Sequence, residues 1–195
     1  MKKKKLIWIN AFILGFSVLV ATSCIKQNDP SPNIPEEISP IVFNPNLTYG
    51  TVSDIDSNVY KTITIGTQTW MAQNLNTTHY QNGDSIINAN TNAKWNIAGP
   101  AFVKYPYSKA SNWDSIYGKL YNGYAVIDTR NICPTGWHVP TDAEWKILYN
   151  YLGGEAIAVG QKIQETGTTH WKTEYGISTG VTNESGFTAL PGGTR

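Results

Sequence analysis

Cys133-Pro-Thr-Gly-Trp-His-Val-Pro-Thr-Asp-Ala-Glu-Trp145 is the stretch that decides how this chain folds. Thr141 and Glu144 stand at the spacing of a capping box, in which the threonine oxygen accepts the backbone N–H three residues on and the glutamate reaches back to the cap. Val139 and Trp145 fall at the two hydrophobic-staple positions that set how a chain enters a helix. Trp145, Leu148, Tyr149 and Leu152 then recur at helical spacing, and Gly153-Gly154 follow as a stop, so the sequence predicts a short helix over residues 142–152 packed through one face. Ahead of it, Cys133-Pro-Thr-Gly-Trp137 reads as a tight turn.

Working outward, Thr51-Val52 and the segment 59–65 alternate as strands, joined by Ser53-Asp-Ile-Asp-Ser-Asn58. Asp54, Asp56 and Asn58 match the opening of a calcium loop, but Val59 stands where glycine is required and Ile65 where the bidentate glutamate is required. A hairpin turn is the better reading. Trp70 to Leu75 is expected to continue the sheet, and residues 77–96 read as mostly polar loop. Downstream, residues 155–165 read as a second short helix burying Ala156, Val159 and Ile163, despite Gly160 in its middle. The expected fold class is α+β: an irregular domain of short antiparallel strands and two short helices joined by many loops.

Composition bounds the alternatives. A chain of 195 residues makes one domain with appendages, and 41% hydrophobic with 12% aromatic residues suffices for a packed core. Lys2 to Lys5 form a positive n-region and Leu6 to Val20 an apolar h-region too short for a comfortable membrane span, so residues 1–23 read as an export signal. Ala21-Thr-Ser-Cys24 looks like a bacterial lipobox, which makes Cys24 the lipidated residue, carrying diacylglycerol and palmitate-type chains that anchor the protein without a spanning helix. Ile25 in place of aspartate argues against inner-membrane retention, and an outer-membrane address follows, with the face of that membrane left open. Loss of residues 1–23 leaves 11 basic against 14 acidic side chains, a net of −3, which disfavours nucleic acid as a partner. Residues 24–47 hold half of the ten prolines and read as a tether, able at about 3 Å per residue to stand the domain some tens of ångströms off a bilayer. Within it, Ile41-Val-Phe43 is an apolar patch suited to docking on the domain, which is expected over residues 48–195.

Tyr105, Tyr107, Trp113, Tyr117, Tyr121 and Tyr124 crowd one segment. Trp113, Tyr117, Tyr121 and Tyr124 are the candidates for stacking on sugar rings, with Asn112 and Asp114 as hydrogen-bonding neighbours; the competing and stronger reading places these rings in the core, because large aromatics dominate packing in small domains. Catalytic constellations are thin. Cys133 with His138, His79 or His170 supplies a nucleophile and a base but no orienting partner, and a structural disulfide half is the better reading of Cys133 in an exported protein. The three histidines show no metal-ligand spacing, and no cofactor motif is present. Asn46, Asn76 and Asn183 head Asn-x-Ser/Thr triplets, which carry little meaning behind a bacterial lipobox.

The stretch quoted first closely resembles the Fibrobacter succinogenes major paralogous domain, a family of secreted or lipid-anchored bacterial proteins whose hallmark is Cys-Pro-x-Gly-Trp-(His/Arg)-(Val/Leu)-Pro-(Thr/Ser) entering a helix. Ile65-Gly-Thr-Gln-Thr-Trp-Met-Ala-Gln-Asn-Leu75 is similar to the family's early strand pair, Tyr117-Gly-Lys-Leu-Tyr-Asn122 with Tyr124-Ala-Val126 to its aromatic segment, and Asn183-Glu-Ser-Gly-Phe187 with Ala189-Leu-Pro-Gly-Gly193 to its later loop. The resemblance covers roughly residues 50–195 and rests on four ordered motifs. It implies a fold like that of C-type lectins and formylglycine-generating enzymes, with no established activity. The family usually carries tryptophan at the place of Gly123, and nothing here matches the redox-active or copper-binding cysteines of the related enzymes. Members continue past Leu-Pro-Gly-Gly into aromatic strands and a Val-Arg-Cys ending, so the resemblance implies that the domain is C-terminally incomplete and that the disulfide partner of Cys133 is missing. Three function classes follow: a lipid-anchored module binding polysaccharide, peptidoglycan or a surface glycoconjugate; an assembly protein of the envelope binding another protein; and, least favoured, an enzyme.

Overall fold

Residues 59–65 alternate apolar or aromatic with polar side chains, and this pattern sets the first sheet. In the computed structural model, which describes residues 37–95, 99–104, 111–156, 159–171 and 180–192, they form strand β2 (Val59–Ile65), burying Tyr60, Thr62, Ile63 and Ile65. The segment read from sequence as an export signal, Cys24, most of the stretch read as a tether, and Tyr105 and Tyr107 lie outside the described residues. β2 pairs antiparallel with β1 (Gly50–Ser53) on one side, Val52 opposite Tyr60, and with β3 (Gln68–Met71) on the other, Ile63 opposite Trp70. The strand order is β1-β2-β3, so β3 is an edge. Its tight link to β2 turns at Gly66, which has φ +61°, and a Cβ there would lie 2.8 Å from the Tyr151 ring. Glycine therefore meets both a left-handed backbone and a close approach.

The Asp54–Asn58 segment is the β1–β2 turn. Asp54 accepts the Asn58 backbone N–H at 2.9 Å and the Tyr60 hydroxyl at 2.5 Å. Asp56 reaches across to the next loop, accepting the Thr78 N–H at 2.5 Å and the Thr77 hydroxyl at 3.0 Å. Both carboxylates are thus occupied within the fold.

A second small sheet is mixed: β4 (Ile87–Asn88) runs parallel to β5 (Ala101–Val103), which is antiparallel to β6 (Leu120–Tyr121). Short helices α1 (Asn92–Trp95), α2 (Trp113–Tyr117) and α3 (Gly123–Val126) surround it. The region expected to be mostly loop thus contributes a strand and a helical turn, and the described residues hold more helices than two. Composition conceals elements of two to five residues, because no hydrophobic period develops over so short a span. The molecule is mixed α+β.

Helix α4 (Asp142–Tyr151) matches the segment expected from its cap, and the capping box closes from both sides: Thr141 Oγ1 accepts the Glu144 N–H at 3.3 Å, and Glu144 Oε2 accepts the Thr141 N–H at 2.8 Å. The burial differs from expectation. Leu148 and Leu152 are buried, whereas Trp145 is 44% and Tyr149 39% exposed. A 3₁₀ turn (Gly154–Ala156) and helix α5 (Val159–Ile163) stand where one second helix was expected. Val159 and Ile163 do pack on the core, and the side chain of Ala156 lies outside what is described.

One core joins Ile63, Ile65, Trp70 and Ala72 to Leu148 and Leu152; a second joins Tyr80, Ile86, Phe102, Ala125 and Ile132. Phe43 and Leu47 pack on the first, so the chain is bound to the domain ahead of residue 48. Polar side chains hold it there. Asn112 brackets Ile38, accepting its N–H at 2.7 Å and donating to its carbonyl at 2.6 Å, while Glu165 accepts the Val42 N–H at 2.6 Å.

Because Leu148 is the helix's main anchor in the first core, Leu148→Ala is expected to lower unfolding free energy by about 2–5 kcal/mol. Thr141→Ala, which removes only the cap, is expected to cost about 1 kcal/mol. Urea denaturation followed by tryptophan fluorescence measures both, and a cap mutant as damaged as the core mutant would contradict this ranking.

Candidate functional site

A groove of about 970 Å³ opens between the β3 strand, the entrance of α4 and the loop carrying Phe187. Each wall is held by local chemistry. The tight turn is braced by Asn131, which accepts the Cys133 N–H at 2.9 Å and donates to the Trp137 carbonyl at 3.0 Å, and by Gln81, which donates to the Cys133 and Pro134 carbonyls at 2.8 and 3.0 Å. This fixes Trp137 at the groove wall. The loop is locked by Asn183, fully buried, whose Oδ1 accepts the Thr188 N–H and whose Nδ2 donates to Thr188 Oγ1, both at 3.0 Å. Phe187 projects from that loop. Its ring lies 5.8 Å from Trp70 and 6.0 Å from Trp145, and the two indoles are 4.8 Å apart.

The groove is aromatic, and among the described residues no lysine or arginine lines it. Its one carboxylate, Glu144, is committed: hydrogen bonds from the Thr141 backbone N–H, His138 (2.7 Å) and the Thr141 hydroxyl hold its carboxyl down to about 2. Two buried polar atoms in the lining residues have no partner among the described residues, the indole Nε1 of Trp70 and the side-chain oxygen of Gln68.

The aromatic residues picked from sequence do not assemble into one platform. Trp113 and Tyr117 stack on each other on α2, 4.9 Å apart, with His170 edge-on to Tyr117 at 5.7 Å. Tyr121 packs on Phe102 and donates to the Thr77 carbonyl at 2.7 Å; burial drives its hydroxyl far above the ordinary tyrosine range. Tyr124 stands 54% exposed on α3. Asn112 is spent on Ile38, and Asp114 pairs with Lys104 at 2.9 Å. Tyr121 is thus partly buried against the second core and is also the one of the four stacking candidates that lines the groove.

Cys133 is a free thiol, half-buried, pushed up to about 11 by burial. A thiol at that level is almost wholly protonated near neutrality and is a poor nucleophile. It shares a cleft of about 140 Å³ with His79. Each histidine is paired with a carboxylate instead: His79 Nδ1 with Asp56 at 2.5 Å, His138 with Glu144 at 2.7 Å, and His170 Nδ1 with Glu165 at 2.6 Å.

Sequence reading missed Gln68, Trp70 and Trp137 as members of one site. The staple expected of Val139 and Trp145 gave no signal for them: with Thr141 as the cap, Pro140 and not Val139 holds the position just before it.

Acid titrates these braces. Burial alone would raise Asp56, but hydrogen bonds from the Thr78 N–H, His79 and the Thr78 and Thr77 hydroxyls bring it down to about 2, as the bonds to Glu144 do there. A carboxyl held low in the native state stabilises fully above the ordinary carboxylate range and loses that stabilisation as pH falls through its native value. Thermal stability is therefore expected to fall between about pH 4 and pH 2, and Asp56→Asn to flatten part of that limb. Calorimetry across this range measures it; an unchanged acid limb in the variant would rule Asp56 out.

Neither a curated protein nor a solved structure matches the chain significantly. The family model of the Fibrobacter succinogenes major domain matches residues 63–195, a span holding β3, the tight turn, α4 and the Asn183–Thr188 loop, and hence all the walls of the groove. The chain belongs to the Fibrobacter succinogenes major domain family.

Proposed function

We propose that this protein is a lipid-anchored, non-catalytic binding module of the cell envelope that takes polysaccharide or a surface glycoconjugate in the groove. The observation that carries the reading is the wall itself: indole and phenyl faces of Trp137, Trp145 and Phe187 in a cleft edged by amide and hydroxyl side chains. Aromatic faces complement the apolar faces of pyranose rings, and amides and hydroxyls serve the ring substituents. A large concave apolar site with a few polar groups is the usual form of a ligand site. The export signal, the lipobox at Cys24 and the proline-rich arm support an anchored protein that meets its ligand away from the bilayer. A relation to C-type lectins would agree with this reading as an analogy of fold, a weak warrant for function. The Cys133 thiol, pushed up to about 11 by burial, argues against nucleophilic catalysis by that residue.

A second reading, an envelope assembly protein that binds another protein, is favoured by one observation. Helix α4 leaves Trp145, Ile147 and Tyr151 at 44–65% exposure, and β3 has an outer edge where no strand pairs among the described residues. Exposed apolar surface and open strand edges are both features of protein contacts.

Titration of the full chain in detergent micelles with soluble oligosaccharides, read by tryptophan fluorescence, separates the two. Under the first reading an oligosaccharide binds, and Trp145→Ala weakens binding about tenfold or more while the fold is retained. Failure of every neutral oligosaccharide, with stoichiometric capture of an envelope protein, would establish the second. Independently, Cys24→Ser is expected to move the protein from the membrane to the soluble fraction with loss of the acyl mass; a variant still sedimenting with membranes would refute the anchor.

A further inference from the structure

We infer that the groove selects sugars bearing an N-acetylamino group, an inference that rests on the glycan reading above. Gln68 and Trp70 are two residues apart on β3, so their side chains leave the same face of the strand, starting about 7 Å apart. The Gln68 amide nitrogen is already used, donating to the Glu144 carbonyl at 3.1 Å. That bond aims the amide and leaves its oxygen as a buried acceptor without a donor. Trp70, only 7% exposed, holds a buried N–H without an acceptor. One strand face thus presents an unmet acceptor and an unmet donor, and buried groups in that condition are costly to leave unpaired.

The ligand group that meets both must itself donate and accept. A single hydroxyl oxygen, with hydrogen bonds of about 2.9 Å on either side, bridges protein groups no more than about 6 Å apart. An amide directs its N–H and its carbonyl in opposite senses from separate atoms and spans a wider pair. The acetamido group also brings a methyl, which suits the faces of Trp145 and Phe187. Charge narrows the class further. With no lysine or arginine among the described lining residues, and with the one carboxylate among them, Glu144, ionised and held by Thr141 and His138, the described lining disfavours a uronate or another acidic sugar. Trp145, its ring tilted against Trp70 at 4.8 Å and 44% exposed, borders this face, so a sugar seated there changes indole fluorescence.

The test compares chitotetraose with cellotetraose, which share the β-1,4-linked backbone and differ in having acetamido or hydroxyl groups at C2. With the full chain in detergent micelles, chitotetraose is expected to bind about tenfold tighter or more, and Gln68→Leu to bring it down to the cellotetraose level. Equal binding of the two by the native chain would overturn the acetamido inference while leaving the glycan reading intact. Binding of neither would overturn both. Selectivity that survives in Gln68→Leu, with native near-ultraviolet circular dichroism, would overturn the assignment to this strand face. The native-chain comparison needs no variant, so a Gln68→Leu protein that fails to fold does not shield the inference.

Discussion

Glu144 joins the parts of the molecule that matter most. Its carboxylate closes the cap of α4 through Thr141 and binds His138 from the preceding turn, while its own carbonyl receives the Gln68 amide from β3. Helix entrance, turn and edge strand therefore share one residue. With the cap closed, Trp145 comes to rest on Trp70, and the groove acquires its wall and floor together. Hydrogen bonds that tie a helix entrance, a turn and an edge strand to one residue rigidify what they join, which is what a binding wall without regular secondary structure needs.

The same device recurs in a fold poor in long elements. Asp56 ties the β1–β2 turn to Thr77, Thr78 and His79; Asn131 and Gln81 hold the turn at Cys133; Asn183 closes the loop of Phe187 on itself. The arm leading into the domain is fastened likewise, with the Glu165–His170 pair, both side chains at most 1% exposed, bonding the Val42 N–H and the Ser39 carbonyl. Side-chain amides and carboxylates here satisfy the backbone groups that sheets and helices would otherwise pair. The arrangement explains how loops make steady walls. The chain is thereby bound to the domain from Ile38 onward.

Legibility followed the range of the interactions. The capping box, α4, the β2 strand and the Asp54–Asn58 turn were readable because each is a rule about residues within a few positions of one another. The family was readable from ordered local motifs for the same reason. The short strands β4 to β6 and helices α1 to α3 were not, because elements of two to five residues form only where tertiary partners wait for them.

By itself, then, the sequence determined the mixed α+β class, the position and cap of the helix, and the family membership, all of them consequences of local spacing. Tertiary structure alone decided which aromatics face solvent and which fill the core. Trp145 has the spacing of a core residue yet lies nearly half exposed, while Tyr121, for which sequence left a stacking surface and a core place both open and favoured the core, packs against Phe102. It alone brought Gln68, Trp70, Trp137 and Phe187, spread over about 120 residues, to one groove. The physical reason is that burial belongs to a pair of surfaces: a helix or strand pattern says which residues share a face, and only the partner packed against that face says whether it is covered.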